Sequence, residues 1–326
     1  MGEHISHDKI HILTEYSQKD QWEKMLRYLW KTCFHDPTHY EDFYFGTIYP
    51  NNKVYAIQDK GMIHVNSYRC KVMNQEMVLP YIVGVATDEK YRRQGVMRSL
   101  LEQVLSDLHE QKVPFAYLMP ANEEYYKPFD FRCVNKKSEY EVKRDTMECS
   151  ESFQYLSYAE FQKLSTKTQT QLLAIVNQWL EQRYDVYTIH DKKYYDLLYA
   201  EKNCQSGDVV FCFKNVIDAD HLCSVFAYAM DEEVPYVEQV IVRNYVSCPA
   251  ETMSAVFCSF FDECDVVKVA ESYPYMLRIV HRETFLELFG EKLSKLSDRV
   301  VDELTDAQLI ETLFEEKDNI YFAEIV

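Results

Sequence analysis

Arg92, Arg93, Gly95 and Arg98 lie where a β-branched run gives way to an apolar-periodic one, and at that junction the sequence offers chemistry. Tyr81-Ile82-Val83-Gly84-Val85-Ala86-Thr87 reads as a strand, Asp88 to Tyr91 as a polar turn. Val96, Leu100, Leu101, Val104, Leu105 and Leu108 then share one face of a helix expected from about Gly95 to Glu110. A helix start presents unpaired backbone N–H groups and the positive end of the macrodipole, so an anion settles there without a dedicated side chain. The arginines add charge. Gly95 lets the backbone approach a phosphate closely, or take φ > 0 where a side chain would block it. Binding of a diphosphate is therefore the chemistry expected here.

Arg92-Arg93-Gln94-Gly95-Val96-Met97 resembles the pyrophosphate-cradling motif of the GNAT N-acetyltransferases, Arg/Gln-x-x-Gly-x-Gly/Ala, with Met97 in place of the usual small residue. A bulky aliphatic there, followed by Arg98, is similar to the enhanced-intracellular-survival (Eis) branch of that superfamily. Downstream, Tyr126-Lys127-Pro128-Phe129-Asp130-Phe131 resembles the family's tyrosine ahead of Phe-Gly-Phe/Tyr, with Asp130 replacing glycine. Aspartate tolerates left-handed backbone better than most residues, so the turn survives the exchange.

The resemblance implies acetyl-CoA as cofactor. Its diphosphate would be held by Arg92, Arg93, Gln94, Gly95, Val96, Met97 and Arg98. Its pantetheine arm would pair with Val85, Ala86 and Thr87 where their strand splays from its neighbour, the Val85 amide steadying the thioester carbonyl. Asn122 either touches the cofactor or caps the turn before Tyr125. Tyr126 is implied as the general acid for the departing thiolate, its alternative being a packed core tyrosine; a phenol with a reference pKa of about 10 is protonated at neutral pH. Eis-type enzymes use the C-terminal carboxylate as base, which makes Val326 the candidate, at the end of the apolar run Ile320-Tyr321-Phe322-Ala323-Glu324-Ile325-Val326. A carboxylate with a reference pKa of about 3.5 is a poor base for an ammonium near 10, so it would act by orienting the cation unless the amine is desolvated. Glu123 and Glu124 either line an acidic acceptor cleft or favour a helix start.

The acceptor implied is a primary amine on a cationic, aminoglycoside- or polyamine-like small molecule, with a peptide or protein lysine as the alternative. A reading from another class is a non-catalytic acyl-CoA-binding scaffold. Eis-type proteins form oligomers, partly through a region that is shortened here, so a homo-oligomer is left open.

These residues must be positioned by a fold of the α/β (α+β) class. Residues 1–148 are expected to form a catalytic GNAT domain: a strand at Lys9–Leu13, a helix capped by Asp20 carrying Trp22, Met25, Leu26, Leu29 and Trp30, then strands at 53–58, 62–72 and 77–87. Pro80, which cannot donate to a ladder, is expected to mark a bulge or a splayed edge. Residues 149–272 repeat the order of helix, antiparallel strands (209–214, 222–229, 234–242), helix and strand, without a second basic-glycine loop. They are expected to be a second GNAT-like domain lacking the cofactor motif. Residues 273–326 resemble the entry into a sterol-carrier-like domain but shrink to a tail with two amphipathic helices.

A formal net charge of −18 and a pI near 5.0 argue against nucleic acid or an anionic membrane as partner and agree better with a cationic substrate. The 10 cysteines show no Cys-x-x-Cys pair and no zinc-like spacing with histidine, so no metal site is expected and the thiols read as reduced packing residues of a cytoplasmic protein. No secretory signal and no membrane-spanning apolar run is legible.

Overall fold

The computed structural model describes residues 9–143, 152–243, 250–261, 263–272, 274–297, 299–314, 319–322 and 324. The chain opens with β1 (Ile10–Leu13) and α1 (Tyr16–Phe34). The helix starts at Glu15 rather than at the expected cap Asp20. The Glu15 carbonyl accepts from the Gln18 amide at 3.0 Å, while Gln18 Oε1 reaches back to the Glu15 amide at 3.5 Å. The polar lead-in is already helical because one of its residues is a core residue: Lys19 is buried, donating to the carbonyls of Tyr49 at 2.7 Å and Pro50 at 3.2 Å. After α2 (Thr38–Phe43), strands β2 (Lys53–Ile57), β3 (Gly61–Val72) and β4 (Gln75–Thr87) form an antiparallel meander with β1.

Pro80 lies inside the β3–β4 ladder opposite Ser67, and no bulge forms there. The bulge is at Gly84. Register passes from His64↔Val83 to Met62↔Ala86, so Gly84 and Val85 oppose the single residue Ile63. Gly84 takes φ +58°, and a Cβ on it would stand 2.9 Å from the Trp30 ring and 3.3 Å from His64. Glycine supplies both the backbone angle and the clearance. Pro80 is tolerated because β4 has a strand on its second side only at Tyr81 and Ile82.

That second neighbour is β5 (Phe115–Leu118), parallel to β4 and paired only at Tyr81↔Tyr117 and Ile82↔Leu118. Past this vertex the two strands part, leaving Val83 to Thr87 without β5 alongside. The helix α3 (Val96–Glu110) covers one face, where Leu100, Leu101 and Val104 share an apolar core with Ile63, Ile82 and Leu118.

After β6 (Arg132–Cys133) come β7 (Ser138–Lys143), β8 (Phe153–Ser157), α4 (Tyr158–Phe161), α5 (Thr166–Arg183), β9 (Val186–Thr188) and α6 (Lys192–Cys204). They are followed by β10 (Asp208–Lys214), β11 (Leu222–Asp231), β12 (Val234–Val242), α7 (Ala250–Phe260) and β13 (Val266–Ser272). The second sheet runs β7-β13-β12-β11-β10-β8 and repeats the plan of the first. A hairpin with a bulge (Val225↔Ile241, Ala227↔Glu238; Gln239 at φ +53°) lies beside a parallel pair held only at Tyr236↔Lys268 and Val237↔Val269. Two GNAT-like layers are thus built from one chain.

The segments 1–148, 149–272 and 273–326 are interlaced. β7 joins the second sheet, whereas β14 (Met276–Ile279) inserts between β5 and β6 of the first. β9 pairs with the far end of β3 (Cys70↔Thr188) and receives β15 (Ile320–Tyr321), which the chain reaches through α8 (Arg282–Leu296) and α9 (Asp306–Phe314). One apolar core accordingly spans Trp30, Tyr81, Phe211, Phe285 and Phe314.

Candidate active site

The loop expected to hold an anion runs directly into the start of α3. Arg93 (φ +63°) and Gly95 (φ +84°) both take left-handed backbone just ahead of α3, and no side chain caps the helix start. Alternating backbone of this kind turns successive N–H groups toward one point. A Cβ on Gly95 would meet nothing within 4 Å, so glycine serves here for its φ and the space above the loop is open. Arg92 Nε donates to the Thr87 carbonyl at 3.3 Å and Gln94 Nε2 to the Lys90 carbonyl at 2.8 Å, tying the loop to the strand end and the turn. Val96 is buried beneath, and Met97 packs against the same core. Arg98 extends along the helix to Glu102 at 3.3 Å and over the Phe129 ring at 4.9 Å. Val85, Ala86 and Thr87 follow the Gly84 bulge on the stretch of β4 that β5 has left.

Tyr126 is buried in the apolar core that holds Ile82 and Leu118, the vertex of the splay, and its hydroxyl has no hydrogen-bond partner among the described residues. Burial, then the neighbouring Tyr125, pushes its phenol up to about 12, so the group holds its proton throughout the physiological range. Asp130 takes φ +62°, the left-handed turn expected of it. Asn122 caps: its Oδ1 accepts from the Glu124 amide at 3.0 Å. Glu123 and Glu124 lie in the first turn of that short helix, paired with Lys127 at 3.6 and 2.5 Å.

Across the sheet from α3 lies a cavity of about 350 Å³. Met119, directly after β5, forms one wall beside the vertex; the α1–α2 junction, α6 and β12 form others. Its polar lining was not legible in the sequence: the carboxyl groups of Asp36, Glu201, Glu238 and Glu324, with Lys202 and His39. Lys202 is buried between Glu201 at 3.1 Å and Glu238 at 2.5 Å. Burial works against its charge, and the two carboxylates more than offset that, raising its pKa. Asp36 Oδ2 accepts from Trp30 Nε1 at 2.8 Å.

The tail closes the cavity. Phe322 stacks on Tyr117 at 3.9 Å between ring centroids, and Glu324 is buried, its Oε1 accepting from Tyr117 Oη and, at 3.1 Å, from Thr188 Oγ1. Burial pushes the Glu324 carboxyl up to about 8. Val326 lies outside the described residues.

Beneath the Gly84 bulge, Tyr44, Asn52, His64 and Asn66 form a buried polar cluster, with Tyr44 Oη 3.1 Å from His64 Nδ1. Burial lowers His64 and His190 each to about 3. Unfolding exposes both rings to their ordinary pKa of about 6.5, so stability falls as pH drops from 6.5 toward 3, by about 1–2 kcal/mol per histidine at pH 5. Glu324 acts oppositely. The folded chain retains a proton that the unfolded chain loses above about 4.5, so stability falls as pH rises from there through 8. Two histidines outweigh one carboxyl below pH 6.5 and the carboxyl acts alone above it, so these groups place maximal stability near pH 6.5. Urea midpoints at intervals from pH 4 to 8.5 should peak there; a midpoint unchanged between pH 4 and 6.5 would contradict neutral burial of the rings.

Comparison with known proteins agrees with this architecture. Residues 14–134 match the family model described as an acetyltransferase (GNAT) domain. Among solved structures, a conserved protein of unknown function from Enterococcus faecalis V583 is similar over 86% of this chain and 74% of its own, at 14% identity and a TM-score of 0.66. A GCN5-related N-acetyltransferase from Anabaena variabilis ATCC 29413 gives 86% and 75%, 15% and 0.65. Eis1 from Mycobacterium abscessus gives 83% and 73%, 11% and 0.53. At these identities the likeness is one of fold. No curated protein matches the sequence.

Proposed function

We propose that this chain, whose residues 14–134 match an acetyltransferase (GNAT) domain model, moves the acetyl group of acetyl-CoA to a primary amine of a cationic, aminoglycoside- or polyamine-like small molecule. The loop Arg92–Met97 fits a diphosphate, since an uncapped helix start faces open space above Gly95. Val85, Ala86 and Thr87 fit the pantetheine arm along the stretch of β4 beyond its pairing with β5. Bound there, the thioester supplies an activated acyl group. The Val85 amide polarises its carbonyl, and Tyr126 holds a proton for the sulfur.

The observation that carries the choice of acceptor is the cavity at the vertex. Its volume suits a small molecule. At neutral pH, with Glu324 still protonated, Asp36, Glu201 and Glu238 face the single ammonium of Lys202, leaving an excess of negative charge for a cationic guest.

Thiol release from acetyl-CoA against a panel of amines, with calorimetry of coenzyme A, tests the proposal. Polyamines should outperform neutral-bodied monoamines; failure of every amine in the panel, or no heat with coenzyme A, would remove it. Asp36→Asn removes a charge while keeping an acceptor for Trp30. It should raise KM for a triamine about fivefold, an electrostatic loss of about 1 kcal/mol, and leave KM for acetyl-CoA unchanged. An unchanged triamine KM would place the acceptor elsewhere.

A further inference from the structure

We propose that the side chain of Glu324 takes the proton from the acceptor amine, making it a catalytic residue of this enzyme; the inference rests on the reading of the site given above. Glu324 lines the cavity beside the vertex of the splay. Its Oε1 is fixed by Tyr117, on β5 at the vertex itself, and by Thr188. Its Oε2 is buried with no hydrogen-bond partner among the described residues. An unpaired buried carboxyl oxygen is costly, and Glu324 borders the space assigned to a cationic guest.

The surroundings explain why the oxygen waits for a ligand. Cys70 on β3, Tyr81 on β4, Tyr117 on β5, Tyr194 on α6 and Tyr275 ahead of β14 all feel the Glu324 charge, and each of these groups is neutral at physiological pH. The cavity's own ammonium, Lys202, is engaged by Glu201 and Glu238. No protein cation compensates Glu324 among the described residues, so the substrate is the cation that does.

An ordinary carboxylate and an alkylammonium differ by about 6 pKa units, which makes proton transfer between them hopeless in water. Burial brings Glu324 to about 8, which narrows its gap to an alkylammonium to about 2 pH units, so the neutral pair of amine and carboxylic acid becomes accessible. The step then balances. One ammonium proton passes to Oε2, and the nitrogen lone pair forms the N–C bond as the C–S bond breaks. Tyr126 gives its proton to the sulfur and regains one from the nitrogen, and Glu324 returns its proton to water.

The test uses the full chain with acetyl-CoA and spermidine from pH 6 to 10. In the wild type, kcat/KM should rise with pH through about 8, as Glu324 ionises. Glu324→Gln should lower kcat/KM about a hundredfold and abolish that limb, with calorimetric affinity for coenzyme A within about twofold of wild type. Tyr117→Phe removes a donor to the ionised carboxylate and should move the limb to higher pH, which decides the matter if Glu324→Gln fails to fold. A Glu324→Gln enzyme that keeps the limb overturns the assignment. So does a limb that shifts on adding a residue beyond Val326 but ignores both substitutions. A wild type that binds coenzyme A but acetylates no amine sinks the functional reading itself, and this inference with it.

Discussion

Tyr126→Phe should lower kcat about a thousandfold while KM for acetyl-CoA stays within about twofold, because the substitution removes one proton and little volume from a group that acts when the C–S bond breaks. The phenol sits in the apolar core at the vertex, and its elevation to about 12 keeps it protonated at every pH an assay is likely to use. Loss of activity on the alkaline side should therefore not arise from Tyr126 below about pH 11. A donor thioester with a more acidic thiol needs less help in leaving, so it should narrow the gap between wild type and variant. Unchanged kcat in the variant, or a gap indifferent to thiol acidity, would return Tyr126 to the status of a packing residue.

Gly84→Ala is expected to damage the first sheet. Alanine at φ +58° costs about 1–2 kcal/mol, and a Cβ 2.9 Å from the Trp30 ring adds overpacking of about 1–3 kcal/mol. The sum is a large share of the stability of a natural domain. The bulge would relax toward a regular ladder and carry Val85 to Thr87 off their present line, so coenzyme A binding should weaken at least about tenfold in whatever fraction remains folded. Gly290→Ala is the control. It lies within α8 with nothing inside 4 Å of its Cβ, and should stabilise by about 0.5–1 kcal/mol. Urea denaturation and calorimetry on the three proteins check both effects; a Gly84→Ala protein as stable and as tight as its parent would contradict the role given to the bulge.

Local chemistry was legible and long-range pairing was not. The loop Arg92–Met97, the turn at Asp130 and the limits of β12 follow from residue types whose preferences act over a few positions. Of the two readings of Pro80, the splayed edge holds and the bulge does not, because a missing N–H matters only where a ladder needs it and β4 has its second neighbour at just two positions. Asp20 misled because Glu15 with Gln18 caps as well and lies upstream. β14, four residues long, has no pattern of its own that tells it to insert between β5 and β6. The acidic cavity draws on α6, β12, the α1–α2 junction and the tail, which only the fold brings together. Glu324 did leave a trace, as the lone acid in the apolar run Ile320-Tyr321-Phe322-Ala323-Glu324.

The crossing of β7 and β14 between sheets also bears on how such a protein can be cut, copied or inherited. A fragment ending anywhere between Lys143 and Val266 leaves the first sheet without the strand that separates β5 from β6, and gives it in exchange one whose proper bed is missing. Neither lobe is a detachable cassette. Expression of residues 1–143 alone should yield insoluble material, and gene rearrangements that survive would be those that carry both lobes together.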